Sequence, residues 1–318
     1  MKKIIEFKYK PESNNNYIVT ILIGKKFKRT WEKFAYPTWK LYCKKNSIGL
    51  IVIKNHLIDK KSLYWKKATW QKYLIGDYFS KNYKFIKNVC FLDADIIINP
   101  FSPNIFKKHN PKKIATTSTR FNMPYPWTET QKKIGFYRRK FYKKTYPLNT
   151  NLLFSTKQLY RHHNLKEQKD EACAGLIIFN VKRHSQLMKN WFYNYKKDVK
   201  SMTDNGDNTH FSYHIQKSKI VQWLDYRFQA IWNFEMSWKY PFLYQKKYNK
   251  KEIVINCIEA SLMDNYFLHF AGAWFDSDMY KYKNIFLSKK IKKIAQEWLA
   301  YKLKKVVGKS YIKTIKPK

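Results

Sequence analysis

The stretch that most constrains this chain is Val89-Cys90-Phe91-Leu92-Asp93-Ala94-Asp95-Ile96-Ile97-Ile98. A short apolar run ends on two carboxylates spaced i, i+2, and three isoleucines follow at once. Flanked in this way, the acids do not read as a solvated face. Two carboxylates at the end of a buried strand repel each other unless a cation joins them, and a hard divalent ion with oxygen ligands removes the repulsion. Mg2+ and Mn2+ keep open positions that phosphate oxygens can fill. An apolar strand running into D-x-D therefore points to a metal-bound nucleoside diphosphate.

The elements around it agree with that placement. Tyr17 to Ile23 is a β-branched run closed by Gly24, residues 29–46 look helical on both sides of Pro37, and Ile48 to Ile53 is a second strand. Residues 62–83 read as an aromatic helix, and Val89 to Leu92 as a third strand. Strand, helix, strand, helix, strand is the order of a mostly parallel sheet with crossover helices. Such sheets bind ligands beyond the carboxyl ends of their strands, which is where Asp93 and Asp95 fall. Further on, Gly175 to Asn180 is a buried strand and residues 184–197 a helix. Asp204 to Asp207 is a turn and helix start capped by Asp207 or Asn208, and Phe267 to Phe270 is a short strand.

With 318 residues, 44% of them hydrophobic, the chain can bury a core as one large domain or two small ones and is no disordered tail. Residues 1–16 read as a polar lead-in. Residues 17–285 read as the main domain, with the Pro- and aromatic-rich segment 118–150 as an insertion or lid within it. Residues 286–318 read as a basic C-terminal helix and tail. The 118–150 segment carries Arg138, Arg139, Lys140, Lys143 and Lys144, and a solvated basic helix is its other reading. Ile291, Ile294, Trp298 and Tyr301 recur at helical spacing, and the expectation is a C-terminal helix packed on the domain by that stripe, with a membrane-lying helix as the alternative.

Cys43, Cys90, Cys173 and Cys257 stand far apart with no C-x-x-C pair, so the expectation is buried free thiols in a reducing compartment. No signal peptide or membrane-spanning run is legible, and the expectation is a cytoplasmic protein, at most peripheral to a membrane. The net charge is +42, from 64 Lys and Arg against 22 Asp and Glu. That excess favours anionic partners; a compositional bias towards Lys, Asn, Ile and Tyr is its other explanation.

A third protein ligand would complete a metal site begun by two carboxylates. His269, at the end of the short apolar strand in Leu268-His269-Phe270-Ala271-Gly272, stands out among the eight histidines, with a buried structural role as the alternative. His210 and His214, spaced i, i+4 beside Asp207, suggest zinc, but Phe211 occupies the position of the zincin glutamate.

The order of these features resembles a known family. An apolar strand ending in L-D-A-D is followed by a G-L-I-I-F-N strand, Asp207 and Phe211, the segment W-L-D-Y-R-F-Q-A-I-W-N, and then H-F-A-G. This is similar to the GT-A glycosyltransferases of the family 8 type, the glycogenin and bacterial galactosyltransferase group, over roughly residues 17–280. The resemblance implies a GT-A, Rossmann-like α/β fold: a mostly parallel mixed sheet with flanking helices and D-x-D at a strand end. It implies Mn2+ (or Mg2+) held by Asp93, Asp95 and His269. It implies a nucleotide-sugar donor, a UDP-hexose, held by Thr20, Lys72, Asp93, Ala94, Asp95, Gly175 and Gly272, and Asp207 as the catalytic acid near the donor sugar. Trp274, Phe275 and Asp276 would border the sugar pocket. The acceptor would be a hydroxyl on a glycan, a lipid-linked sugar or a protein. The chain departs from the family pattern at Ala273-Trp274-Phe275, where Lys-Pro-Trp is usual. Cys173 replaces an Asn, and Thr209 replaces an acid. Members of the family retain the anomeric configuration; of the acids that could serve an inverting reaction, Asp207, Asp225 and Asp264 are all candidates.

Two other functions fit parts of the sequence. The basic, aromatic 118–150 segment suits a glycosyltransferase acting on nucleic acid, since Lys and Arg neutralise phosphates and aromatics stack on bases. A non-catalytic basic protein that binds nucleic acid or membrane would leave D-x-D as a sheet-end turn.

Overall fold

The computed structural model describes residues 4–12, 15–141, 151–195, 207–248 and 250–271. In chain order the first elements are β1 (Ile5–Tyr9), β2 (Asn16–Ile21), α1 (Lys25–Phe34), α2 (Tyr36–Lys45), β3 (Gly49–Ile53), a 3-10 turn at Ala68–Leu74, α3 (Ile75–Asn82), β4 (Asn88–Leu92) and β5 (Ile96–Ile98). There follow β6 (Ile114–Ser118), α4 (Trp127–Phe141), α5 (Thr156–His162), β7 (Ala172–Asn180), α6 (Val181–Asn194) and α7 (Asp207–Lys217). The last are β8 (Val221–Trp223), β9 (Ala230–Ile231), α8 (Trp232–Lys239), α9 (Lys251–Asp264) and β10 (Phe267–His269).

Seven strands form one sheet in the order β1-β3-β2-β4-β7-β6-β8. The pairs β2–β3, β2–β4 and β6–β8 are parallel, while β1–β3, β4–β7 and β6–β7 are antiparallel. Only β1 and β7 run against the rest. The expected mostly parallel α/β sheet is therefore present, with β3, β2 and β4 joined by helical crossovers. A second sheet, β5-β10-β9, is built from three remote segments.

Period-2 alternation splits the strands between two apolar layers. Tyr17, Val19, Ile51, Val89 and Phe91 pack under α3, α6 and α7, whereas Ile18, Leu50, Val52, Cys90 and Leu92 pack under α1 and α2. The small sheet has its own core with α8 and α9 around Ile97, Trp232, Ile258 and Leu268. Pro37 lies in the first turn of α2, where the missing N–H is not needed. All four cysteines are free and buried. Among the described residues, no helix is long and apolar enough to cross a membrane.

Two segments differ from expectation. The polar lead-in 1–16 contains β1, an edge strand whose Ile5 and Phe7 turn to the layer under α3 and α6, while a register shift after Phe7 turns Tyr9 to the layer under α1 and α2. Glu6 and Lys8 pair at 2.6 Å on its other face. Of the helix expected over 62–83, Ala68–Leu74 is a 3-10 turn and only Ile75–Asn82 is α-helical, while Asp59 and Ser62 hold the chain before Lys66 in a turn. The 118–150 segment holds α4, while residues 142–150, with Lys143 and Lys144, lie outside the described residues, as does everything after Ala271.

Candidate active site

The D-x-D turn is fastened to both sheets. At the end of β4 the N–H of Asp93 donates to the carbonyl of Gly175 in antiparallel β7, at 2.8 Å. Two residues on, the carbonyl of Asp95 accepts from the N–H of Phe270 at 3.1 Å, and β5 enters the small sheet. The register of that sheet sets His269 across from Ile96, beside Asp95. Trp39 Nε1 donates to the carbonyl of Ile96 at 2.7 Å and pins the turn from the helical side.

These constraints bring together the three residues that the sequence nominates as metal ligands. His269 Nε2 lies 3.2 Å from Asp95 Oδ1 and 3.8 Å from Asp93 Oδ2, and one ligand atom of each residue falls within 4.8 Å of the others. Adjacent donors around an octahedral ion with bonds of about 2.1 Å stand about 3 Å apart. The donor set, two carboxylates and one imidazole, suits Mn2+ or Mg2+ better than a thiolate-preferring ion. Among the described residues this is the one His/Cys/Asp/Glu group with metal-ligand spacing.

Electrostatics mark the same place. Burial above all pushes Asp93 up to about 6; Asp95 adds to the rise, while Lys72 and His269 oppose it. Asp93 nevertheless keeps 37% of its side chain open to solvent at the turn. His269 is held well above its ordinary value: burial works against its charge, and the charge and hydrogen bond of Asp95 outweigh that.

Two residues hold His269 from behind. The Gln229 amide satisfies all its neighbours when its nitrogen donates to Thr117 Oγ1 at 2.7 Å and to the carbonyl of Cys173 at 3.1 Å. Its oxygen then accepts from Leu176 N and from His269 Nδ1, both at 3.0 Å. That contact commits Nδ1 as a donor and leaves Nε2 as the metal-facing nitrogen. Gly175 supplies the space: a Cβ there would meet His269 Cε1 at 2.5 Å, the Gln229 amide at 2.6 Å and Asp93 Oδ2 at 2.8 Å. Gly175 thus lies against the metal-ligand cluster itself. Cys173 lies close too, with Sγ 3.9 Å from His269 Nδ1.

Lys72 and Asp207, 135 positions apart, meet beneath the site. Lys72 Nζ lies 2.7 Å from Asp207 Oδ2 and donates to the carbonyl of Ala174 at 2.9 Å, and both side chains are almost wholly buried. Burial works against the charge on Lys72, but Asp207 and Asp93 outweigh it and raise its pKa. Asp207 opens α7, where a carboxylate is favoured by the helix dipole. Its neighbour Asn208 accepts from Ala174 N at 2.6 Å and donates to Glu171. Glu171 in turn meets Arg120 at 2.7 Å.

A cleft of about 350 Å3 opens beside the turn, lined by Asp93, Ala94 and Asp95 and by Thr20, Ile21, Phe27, Thr69 and Phe91. Thr20 is buried, and its hydroxyl has no hydrogen-bond partner among the described residues. Of the nominated residues, Thr20, Ala94 and the two aspartates line this cleft, and His269 and Gly175 abut it through Asp93. Lys72 and Asp207 lie just behind. Gly272, Trp274, Phe275 and Asp276 lie outside the described residues.

Other candidates do not join the cluster. His210 Nε2 bonds the carbonyl of Trp191 at 3.2 Å, and His214 stacks on the Trp191 ring, so the zinc reading with Asp207 is not supported. Asp225 is held by Arg227 and Asp264 by Lys239. Sequence reasoning missed Gln229. It sits inside the quoted W-L-D-Y-R-F-Q-A-I-W-N segment, but no spacing there marks a residue that orients a histidine 40 positions away.

No family model and no curated protein matches this sequence. Three solved structures share features with it. A glycosyltransferase involved in glycosylation of the major capsid of PBCV-1 is 10% identical, with 83% of this chain and 98% of that one covered and a TM-score of 0.45. The WbbM bifunctional glycosyltransferase is 12% identical over 90% of this chain and 52% of that one, at 0.43. Mouse xyloside xylosyltransferase 1 is 11% identical over 72% and 92%, at 0.36. Likeness of this extent settles neither activity nor substrate.

Proposed function

We propose that the protein is a GT-A-type glycosyltransferase that moves a sugar from a nucleoside diphosphate sugar, a UDP-hexose, to a hydroxyl of a glycan, lipid-linked sugar or protein. The observation that carries this reading is the convergence of Asp93, Asp95 and His269 at the rim of a cleft at the strand ends. These three residues hold Mn2+ (or Mg2+), which when bound supplies Lewis-acid stabilisation of the departing diphosphate. Gln229 keeps Nε2 of His269 facing the carboxylates, and Gly175 leaves room for both. The apolar walls at Ile21 and Phe91 suit a nucleobase, with the unpartnered Thr20 hydroxyl as its polar contact. Lys72 pairs with Asp207 at 2.7 Å, and the Asp207 carboxylate is the catalytic residue on the side of the donor sugar. Gly272, outside the described residues, is assigned to the donor site by the sequence resemblance alone. The transferase domain spans 17–285 with β1 added to it.

The test is a thermal shift scan of wild type and Asp95→Ala with Mn2+ and a panel of nucleoside diphosphates. A ligand that binds only the native state raises the midpoint by mass action. One nucleotide should stabilise wild type only when Mn2+ is present and should fail on Asp95→Ala. No shift with any nucleotide, with or without metal, would refute the reading.

A further inference from the structure

Between β3 and the 3-10 turn the chain reads Asp59-Lys60-Lys61-Ser62-Leu63-Tyr64-Trp65-Lys66-Lys67, an apolar triplet bracketed by lysine pairs. Local hydrogen bonds fix its shape. Lys61 N donates to Asp59 Oδ1, Ser62 N to the Asp59 carbonyl, Tyr64 N to Ser62 Oγ and Trp65 N to the Ser62 carbonyl. The triplet is held up rather than folded in: Leu63 is 100% exposed, Tyr64 49% and Trp65 36%. The inner edges of the two rings are anchored, Tyr64 against Tyr193 at 5.2 Å and Trp65 against His56 at 5.8 Å. Lys66 is spent on the interior, while Lys60, Lys61 and Lys67 are exposed around the tip.

A single exposed leucine is ordinary. A leucine at the tip of a hydrogen-bonded turn, followed by tyrosine and tryptophan and ringed by lysines, is not the composition of a turn built for water. Tyr and Trp settle at the boundary between headgroups and acyl chains, and lysines near a bilayer are drawn to anionic headgroups. The turn also leads straight into Ala68 and Thr69, which line the cleft together with Phe27, another exposed aromatic at 51%.

We propose that Leu63-Tyr64-Trp65 is a membrane-docking wedge. Leu63 and the outer parts of the two rings enter the headgroup boundary of an anionic bilayer, and Lys60, Lys61 and Lys67 face the lipid phosphates. The charge of the partner follows from the local balance, in which Asp59 is the only acid in the turn. This inference is independent of the transferase reading.

The buried native cysteines allow a site-specific test. Full-length Leu63→Cys, labelled with an environment-sensitive nitrobenzoxadiazole, is mixed with phosphatidylcholine vesicles with and without phosphatidylserine. A blue shift and a several-fold rise in emission are expected only with phosphatidylserine, and the same label at exposed Lys132 should not respond. In co-sedimentation, Leu63→Glu should bind such vesicles roughly tenfold more weakly, and Lys60→Gln or Lys61→Gln about fivefold more weakly per lysine. Because residue 63 is fully exposed, Leu63→Glu should melt like wild type. The proposal fails if the label at 63 stays aqueous while the protein sediments through another surface, or if no sedimentation occurs. It also fails if Leu63→Glu binds as wild type, or if the label is already apolar without lipid, which would mean that a second protein copy covers the turn.

Discussion

Replacing Gly175 by alanine should cost the protein its divalent-ion affinity while leaving the large sheet standing. The backbone is not the obstacle, because Gly175 does not occupy the left-handed region. Space is. Ordinary contact begins at 3.4 Å, so His269 Cε1 must retreat by 3.4 − 2.5 = 0.9 Å, the Gln229 amide by 0.8 Å and Asp93 Oδ2 by 0.6 Å. Metal sites tolerate displacements of about 0.2 Å in ligand distance. Two of the three ligands and the residue that orients one of them therefore leave tolerance together. Losing an orienting contact alone costs about 10–100-fold in affinity, and Mn2+ binding in Gly175→Ala should fall by at least that much. Overpacking a core position costs about 1–3 kcal/mol, which lowers the melting midpoint by a few degrees without abolishing folding. Calorimetric titration with Mn2+ and a metal-free melt followed by circular dichroism separate the two effects. An alanine variant that binds Mn2+ as tightly as wild type would refute the claim that His269 and Asp93 act as ligands from their observed positions.

Two further outcomes follow from buried charge. Lys72→Met leaves Asp207 and Asp93 without their buried cation and should destabilise by about 3–5 kcal/mol in urea melts; Lys72→Met/Asp207→Asn should recover part of that loss, and simple additivity of the single changes would contradict the pairing. Burial drives His184 and His214 down to about 4 and His210 to about 3. Because their folded values are depressed, the stability they confer is complete above about 6.5 and is lost as pH falls towards 4. Each should cost about 2 kcal/mol at pH 5 before discount for partial exposure. Urea midpoints measured from pH 7.5 to 4.5 should therefore drop, with a shallower slope in His214→Phe; a flat profile would contradict the burial of these rings.

The parts of the fold legible in the sequence are those with unambiguous local signals. The β2-β3-β4 crossovers follow from β-branched runs separated by helical spacing, and D-x-D falls at the carboxyl end of β4 as expected. The direction of β7 is not legible, because a run buried on both faces looks alike in either sense. Yet that direction is what lays Gly175 against Asp93. β1 is not legible because only Ile5-Glu6-Phe7-Lys8 alternates before a register shift turns Tyr9 to the other layer, and the polar residues up to Asn16 outweigh so short a pattern. Residues 62–67 carry aromatics at a density that resembles a helix, but the hydrogen bonds of Asp59 and Ser62 hold them in a turn. The metal-ligand cluster was foreseeable residue by residue, whereas Gln229 acts through a tertiary contact that no local pattern encodes.

The placement of the ligands also determines when the site can come into being. Asp93 closes a strand of the large sheet, while His269 ends a three-residue strand of the small one and is the last ligand to be synthesised. Strands of two or three residues have little standing of their own. An ion held as proposed by Asp93 and His269 would be a clasp across 176 positions of chain, tightening the least self-sufficient part of the molecule. On the proposed metal site, a nascent chain that has made the large sheet but not yet residue 269 lacks one of the three ligands, and Mn2+ should register first as slower amide exchange in β5, β9 and β10 rather than in the large sheet.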